Sequence, residues 1–233
     1  MRLFFSGVAS ASEATMLTEA GVTDWLADPT DFGNLPDSPS HVRVLDSVDD
    51  YVARVARLEG EAQIAWAIAP DVIGDSIATR KNWRRVEDLF LAFEHEGKKR
   101  PDIYPVYQWG SPWRDLDWYA RKSTKVCIGG LVPLMRVKDK GALTELLSIS
   151  KDHPDLHFLG LNWLKAIEDL ADTEHSCDTS KWLDAARYGH VIFKNTRTGH
   201  LSQAPAKVLK LNLSRQERCV ESARAMREYL IAA

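Results

Sequence analysis

The feature that most constrains this chain is its alternation of short apolar runs with longer segments whose apolar residues recur every three or four positions. Repeated β–α units leave that signature, because parallel strands need a helical return path between them. The expected strands are LFFSG (3–7), DWLAD (24–28), IAWAIA (64–69), IYPVYQ (103–108), VCIGG (126–130), HFLGL (157–161), EHSCD (174–178) and HVIFK (190–194). Helical spacing covers 12–20, 48–58, 83–95, 116–121, 140–149, 164–171, 182–188 and 215–231. Eight of each predict one (β/α)8 TIM barrel over residues 1–233, with short loops because about 250 residues is typical of that fold. A doubly wound open sheet is the competing arrangement. SGVASAS after the first strand is no GxGxxG turn, so a dinucleotide site is not expected.

A chain that is 45% hydrophobic and 27% charged can bury one full core. No apolar run approaches the roughly 18 residues of a membrane span, and MRLFFSGVASASEA lacks a signal peptide's apolar stretch, so a cytoplasmic protein with no membrane partner is expected. Cys127, Cys177 and Cys219 are far apart and form no CxxC, which suggests reduced thiols, no metal and no cofactor. A net charge of −3 excludes a uniformly basic coat but leaves basic patches. These are TRKNWRR (79–85), KKR (98–100), FKNTRTGH (193–200) and KVLK (207–210), from which Arg80, Lys81, Lys194 and Arg197 are candidate phosphate contacts; solvated helix faces and loops are the plainer alternative. Trp109, Trp113, Trp163 and Trp182 lie near strand ends, where they are placed either to stack on bases or to pack the core.

In parallel α/β folds the chemistry is done at the C-terminal ends of the strands. Here those ends carry Asp28, Asp71, Asp75, Gln108, Gly129, Gly130, Gly160, Asn162 and Asp178. Carboxylates gathered at one edge repel one another and shift each other's pKa, a cost that structural roles seldom require. Each also has a structural alternative: Asp28 starts a turn before Pro29, Asp75 and Asp178 cap helices, and the glycines let a strand end tightly. DPTDFGNLPDSPS (28–40) reads as a long loop over the same face.

IAPDVIGD (68–75), VYQWGS (106–111), CIGGLV (127–132) and HFLG followed by CDTS (177–180) resemble, in order and spacing, motifs of the tRNA-guanine transglycosylase superfamily. The resemblance spans about 24–195 and is strongest to the short DNA 7-deazaguanine transglycosylases of phages and bacterial modification clusters. It implies that Asp178 is the nucleophile at the sugar's anomeric carbon. It further implies that Asp71 reads the guanine or deazaguanine edge with Gln108, Gly129 and Gly130, with Asp75 beside them, and that Asp28 is the general acid/base. Asp31 rivals Asp28, because the glycines and aromatic of the family's motif are not reproduced around LADPTDF. The zinc-binding CxCxxC…H pattern of the tRNA enzymes is missing from 194–233, which favours DNA over tRNA as the partner of the free 7-deazaguanine base.

Base exchange is displacement at an anomeric carbon: one carboxylate holds the sugar as an ester, and a second group protonates the leaving base and deprotonates the incoming one. The alternatives are a tRNA enzyme, a non-catalytic nucleic-acid-binding subunit of a modification system, and a metal-dependent hydrolase using Asp28, Asp71, His175 and Asp178.

Overall fold

Strands form where β-branched and aromatic residues cluster, and here most of those clusters pair in parallel. The computed structural model describes residues 2–8, 11–23, 25–27, 47–62, 64–153, 155–161 and 173–231. It is a mixed α/β protein. The strands are β1 (Arg2–Phe5), β2 (Ala67–Ile68), β3 (Ile103–Tyr104), β4 (Val106–Gln108), β5 (Val126–Gly129), β6 (Leu156–Phe158), β7 (Ser176–Thr179), β8 (His190–Lys194) and β9 (Leu201–Pro205). The helices are α1 (Ala11–Glu19), α2 (Val48–Ala62), α3 (Ser76–His95), α4 (Trp113–Ala120), α5 (Val132–Val137), α6 (Lys140–Asp152), α7 (Lys181–Arg187) and α8 (Arg215–Ile231).

Five parallel strands make the main sheet in the order β1-β7-β6-β5-β4, and β2 pairs with β3 in parallel. Single parallel bridges, Phe5 to Trp25 and Ala27 to Ala67, connect β1 through residues 25–27 to β2. β3 and β4 are one run interrupted at Pro105, which has no N–H to give to a ladder. Its carbonyl still accepts from Cys127 N.

Because side chains alternate along a strand, the register sorts them onto two faces. Phe5, Tyr107, Ile128, Phe158 and Cys177 fall in the large core under the helices. Phe4, Leu26, Trp66, Ile68, Val106 and Cys127 form a second, smaller cluster. Buried His157 belongs with that smaller cluster, edge-on to Phe4 at 5.9 Å and to Trp66 at 4.6 Å between ring centres. Helix α3 shows how the outer layer docks: Thr79, Trp83, Val86 and Phe90 make one buried stripe at spacings of four, three and four.

HVIFK forms a strand as expected, but it lies outside the parallel sheets. It pairs antiparallel with β9, from His190 opposite Pro205 to Lys194 opposite Leu201. The connection 195–200 is far shorter than the dozen or more residues a parallel crossover needs. Asn195 Oδ1 accepts from Arg197 N and Thr198 N to close that turn. The strand LSQAP carries no alternation strong enough to reveal itself in the sequence. Among the described residues no helix is long and apolar enough to cross a membrane. The expected helix 164–171, the loop 28–40, Asp28, Asp31, Asn162 and Trp163 lie outside the described residues.

Candidate active site

Parallel pairing brings the C-terminal ends of β1, β4, β5, β6 and β7 to one edge of the sheet, with Gln108 opposite Gly129 and Phe4 opposite Asp178. Two polar groupings stand on that edge.

The first is built around Asp178. The residue is buried, with a relative exposure of 8%, although a lone carboxylate is costly to remove from water. Ser6 Oγ donates to Oδ2 at 2.5 Å, and Gly160 N donates to Oδ1 at 3.2 Å. Gly160 reaches it because its backbone is left-handed (φ +69°) and a Cβ there would meet Val132 Cγ2 at 2.5 Å. His157 Nε2 lies 3.6 Å from Oδ1, outside hydrogen-bond range, and has no other partner. Its Nδ1 is bonded to Ser176 Oγ at 2.9 Å. Burial pushes the imidazole pKa down against the opposing pull of Asp178, so the ring is neutral at pH 7.

The second grouping is built around Asp71. Gln108 Nε2 donates to Asp71 Oδ2 at 2.5 Å, while Gly74 N donates to Gln108 Oε1 at 3.2 Å, so the glutamine is held at both ends of its amide. Gly129 makes room for this pair, since a Cβ there would lie 2.8 Å from Gln108 Nε2 and 3.2 Å from Asp71 Oδ2. Gly130 turns the chain away in a left-handed conformation (φ +78°). Asp71 as a residue keeps some exposed surface, but its carboxyl group is enclosed. Burial pushes its pKa up to about 6, against the Gln108 and backbone hydrogen bonds that lower it.

Other candidate residues have structural work. Asp75 caps α3, its Oδ1 accepting from Ile77 N and Ala78 N, the alternative already open in the sequence. Trp182 is not a stacking platform: it is fully buried, and its indole N–H donates to Ser6 O at 3.0 Å. His175 is not near Asp178's carboxylate: it precedes β7 at the opposite edge, where Nδ1 accepts from Leu156 N at 3.1 Å. Among the described residues no three His, Cys, Asp or Glu side chains come together as a metal site. Trp113 is 40% exposed and stacks on Tyr107. Arg80 is paired with Asp115 at 2.5 Å and lies over Trp118, whereas Lys81 is exposed. Lys194 ends β8 and Arg197 sits in the hairpin turn, both exposed and neither bonded to Asp71, Gln108 or Asp178.

The sequence reading missed Ser6, His157 and Ser176. His157 and Ser176 face each other in the β6–β7 register, and that register is decided by pairing, not by either strand's own sequence. The one local sign is His157, a polar residue between Leu156 and Phe158 in an otherwise apolar β6. No known family model matches the chain, and no curated protein matches it.

Proposed function

We propose that this protein is a base-exchange enzyme that replaces guanine in DNA by a 7-deazaguanine such as 7-cyano-7-deazaguanine, through an ester between Asp178 and the sugar. The observation that carries the reading is the enclosed Asp71 carboxyl, pinned by Gln108 against a glycine, on the same sheet edge as a buried, donor-oriented Asp178. A guanine-type ring presents N1–H and an exocyclic amine along one edge, and an ionised carboxylate accepts both; adenine presents an acceptor at N1 and would leave the charge unpaired.

In the reaction, an Asp178 oxygen forms a bond to C1′ while the C1′–N9 bond breaks and its electron pair leaves with guanine. A proton from the general acid completes the departing base. The incoming base then gives up its N9 proton to the same group, and N9 displaces the Asp178 carboxylate. Asp28 is proposed for the acid/base role from the sequence resemblance. Ser6 and Gly160 fix the attacking carboxylate, and neutral His157 adds a dipole without a competing charge.

The parallel strands favour a closed barrel for this site. Pairing runs from β1 through residues 25–27, β2, the 103–108 run, β5, β6 and β7 back to β1. The Trp66–His157 contact joins β6 to the residue just before β2, a strand that is not its neighbour, as expected across a barrel interior. The site would then sit at the barrel mouth.

The test is incubation of the protein with guanine-containing DNA and radiolabelled guanine, with tRNA in parallel. Label entering DNA supports the reading, label entering only tRNA moves the substrate to RNA, and no exchange with either removes the reading. Asp178→Ala should abolish label transfer while the far-ultraviolet circular dichroism stays that of the parent.

A further inference from the structure

Between the first turns of α3 and α4 runs a groove of about 720 Å³ lined by Ile77, Arg80, Lys81, Arg84, Arg114 and Asp115, among others. Four cations face one carboxylate there, in a chain whose net charge is −3. The carboxylate is already spent on Arg80. Lys81, Arg84 and Arg114 are exposed, and among the described residues no ion pair or hydrogen bond holds their side chains.

The α3 residues Ile77, Arg80, Lys81 and Arg84 are spaced at i, i+3, i+4 and i+7, so they form one row along two turns. At about 1.5 Å rise per residue that row is about 10 Å long, the length over which a nucleic-acid strand in a helix carries about three phosphates. Pro112, Arg114 and Asp115 of the α4 start line the groove, and Pro112 gives that helix no side-chain cap, so its positive end adds to the groove's charge. Exposed Trp113 stands at the same helix start, stacked on Tyr107.

The groove adjoins the base-reading pair. α3 begins directly after Asp75 and α4 directly after Pro112, and the Gly74 N to Gln108 Oε1 bond ties the two lead-in loops together. We propose that this groove holds the sugar-phosphate backbone of the nucleic-acid strand whose base enters the Asp71–Gln108 pocket, with Arg84 and Arg114 as phosphate contacts. The substrate track then runs over α3 and α4 and not over the β8–β9 hairpin with Lys194 and Arg197. This rests on the base-exchange reading for the identity of the strand.

The test is anisotropy titration of a fluorescent guanine-containing single-stranded oligonucleotide against the full chain at several salt concentrations. Arg84→Glu with Arg114→Glu should weaken binding at least about tenfold and flatten the log–log salt dependence by about 1.4, at about 0.7 for each lost phosphate contact. Lys194→Glu with Arg197→Glu should change affinity less than about twofold. All four side chains are exposed, and melting temperatures near the parent's establish that the variants are folded. The proposal is overturned if the groove variant binds like the parent, if the hairpin variant loses as much, if the parent does not bind, or if inorganic polyphosphate competes as well as unlabelled oligonucleotide. Failure of the base-exchange reading looks different: the parent binds through the groove, yet transfers no labelled guanine.

Discussion

At the scale of single residues, Asp71 links stability to recognition. An unfolded aspartate ionises near pH 4, whereas the folded Asp71 does so at about 6. Between those values the folded chain holds a proton that the unfolded chain has lost, so stability falls as pH rises through the window and stays lower above it. Asp71→Asn removes that penalty. It should stabilise the fold above pH 6 by up to about 3 kcal/mol and give no gain below pH 4, read as urea midpoints across pH. The same variant should lose guanine exchange, because the amide presents a donor where the ring needs an acceptor. Parent exchange should decline as pH drops through about 6, as the carboxylate that accepts N1–H is protonated. A profile flat down to pH 4.5 would take Asp71 out of base recognition.

At the scale of elements, the turn after β6 and the start of α3 each depend on one side chain or its absence. Gly160→Ala places a methyl 2.5 Å from Val132 Cγ2 on a backbone at φ +69°. It should cost about 1–3 kcal/mol in chemical denaturation and reduce exchange, since moving the turn withdraws an N–H from Asp178. Adding Val132→Ala should recover the part due to the clash and leave the backbone part. Asp75→Ala should cost about 1 kcal/mol by leaving two first-turn N–H groups of α3 uncapped. Thermal denaturation measures it, and no loss would mean that the cap is satisfied by water.

At the scale of the whole molecule, α8 fastens the C-terminal hairpin to the rest. Cys219, Val220, Ala223 and Met226 are buried, and Ser222 Oγ accepts from Ile192 N of β8 at 3.0 Å. Arg224 reaches Glu19 O at the end of α1, and Arg218 reaches Ala186 O of α7. These ties predict one cooperative unfolding transition, the same by tryptophan fluorescence and by circular dichroism. Two separated transitions would show the hairpin and α8 melting as their own unit. Ser222→Ala should lower the unfolding free energy by about 1–3 kcal/mol, seen as a shift of the common midpoint, because the Ile192 N–H is then buried without an acceptor.

The sequence by itself determined the local elements at most of their expected places, because apolar periodicity and turn residues act over a few positions: VCIGG, the CDTS strand end and α8 form where the spacing puts them, while α3 begins at Ser76, seven residues before the expected 83–95, where Asp75 caps it. It also determined which residues stand at strand ends, so Asp71, Gln108, Gly129 and Asp178 were visible as a set. Tertiary structure decided what each does. Asp75 and Asp178 look alike locally, each an aspartate before Ser or Thr and a helix, yet one caps α3 in solvent and the other is buried against Ser6, 172 positions away. Pairing across β6 and β7 put His157 beside Asp178, and the 195–200 turn gave HVIFK an antiparallel partner. Register, burial and the pKa shifts that follow from burial arise between distant segments, and no window of sequence contains both sides of such a contact.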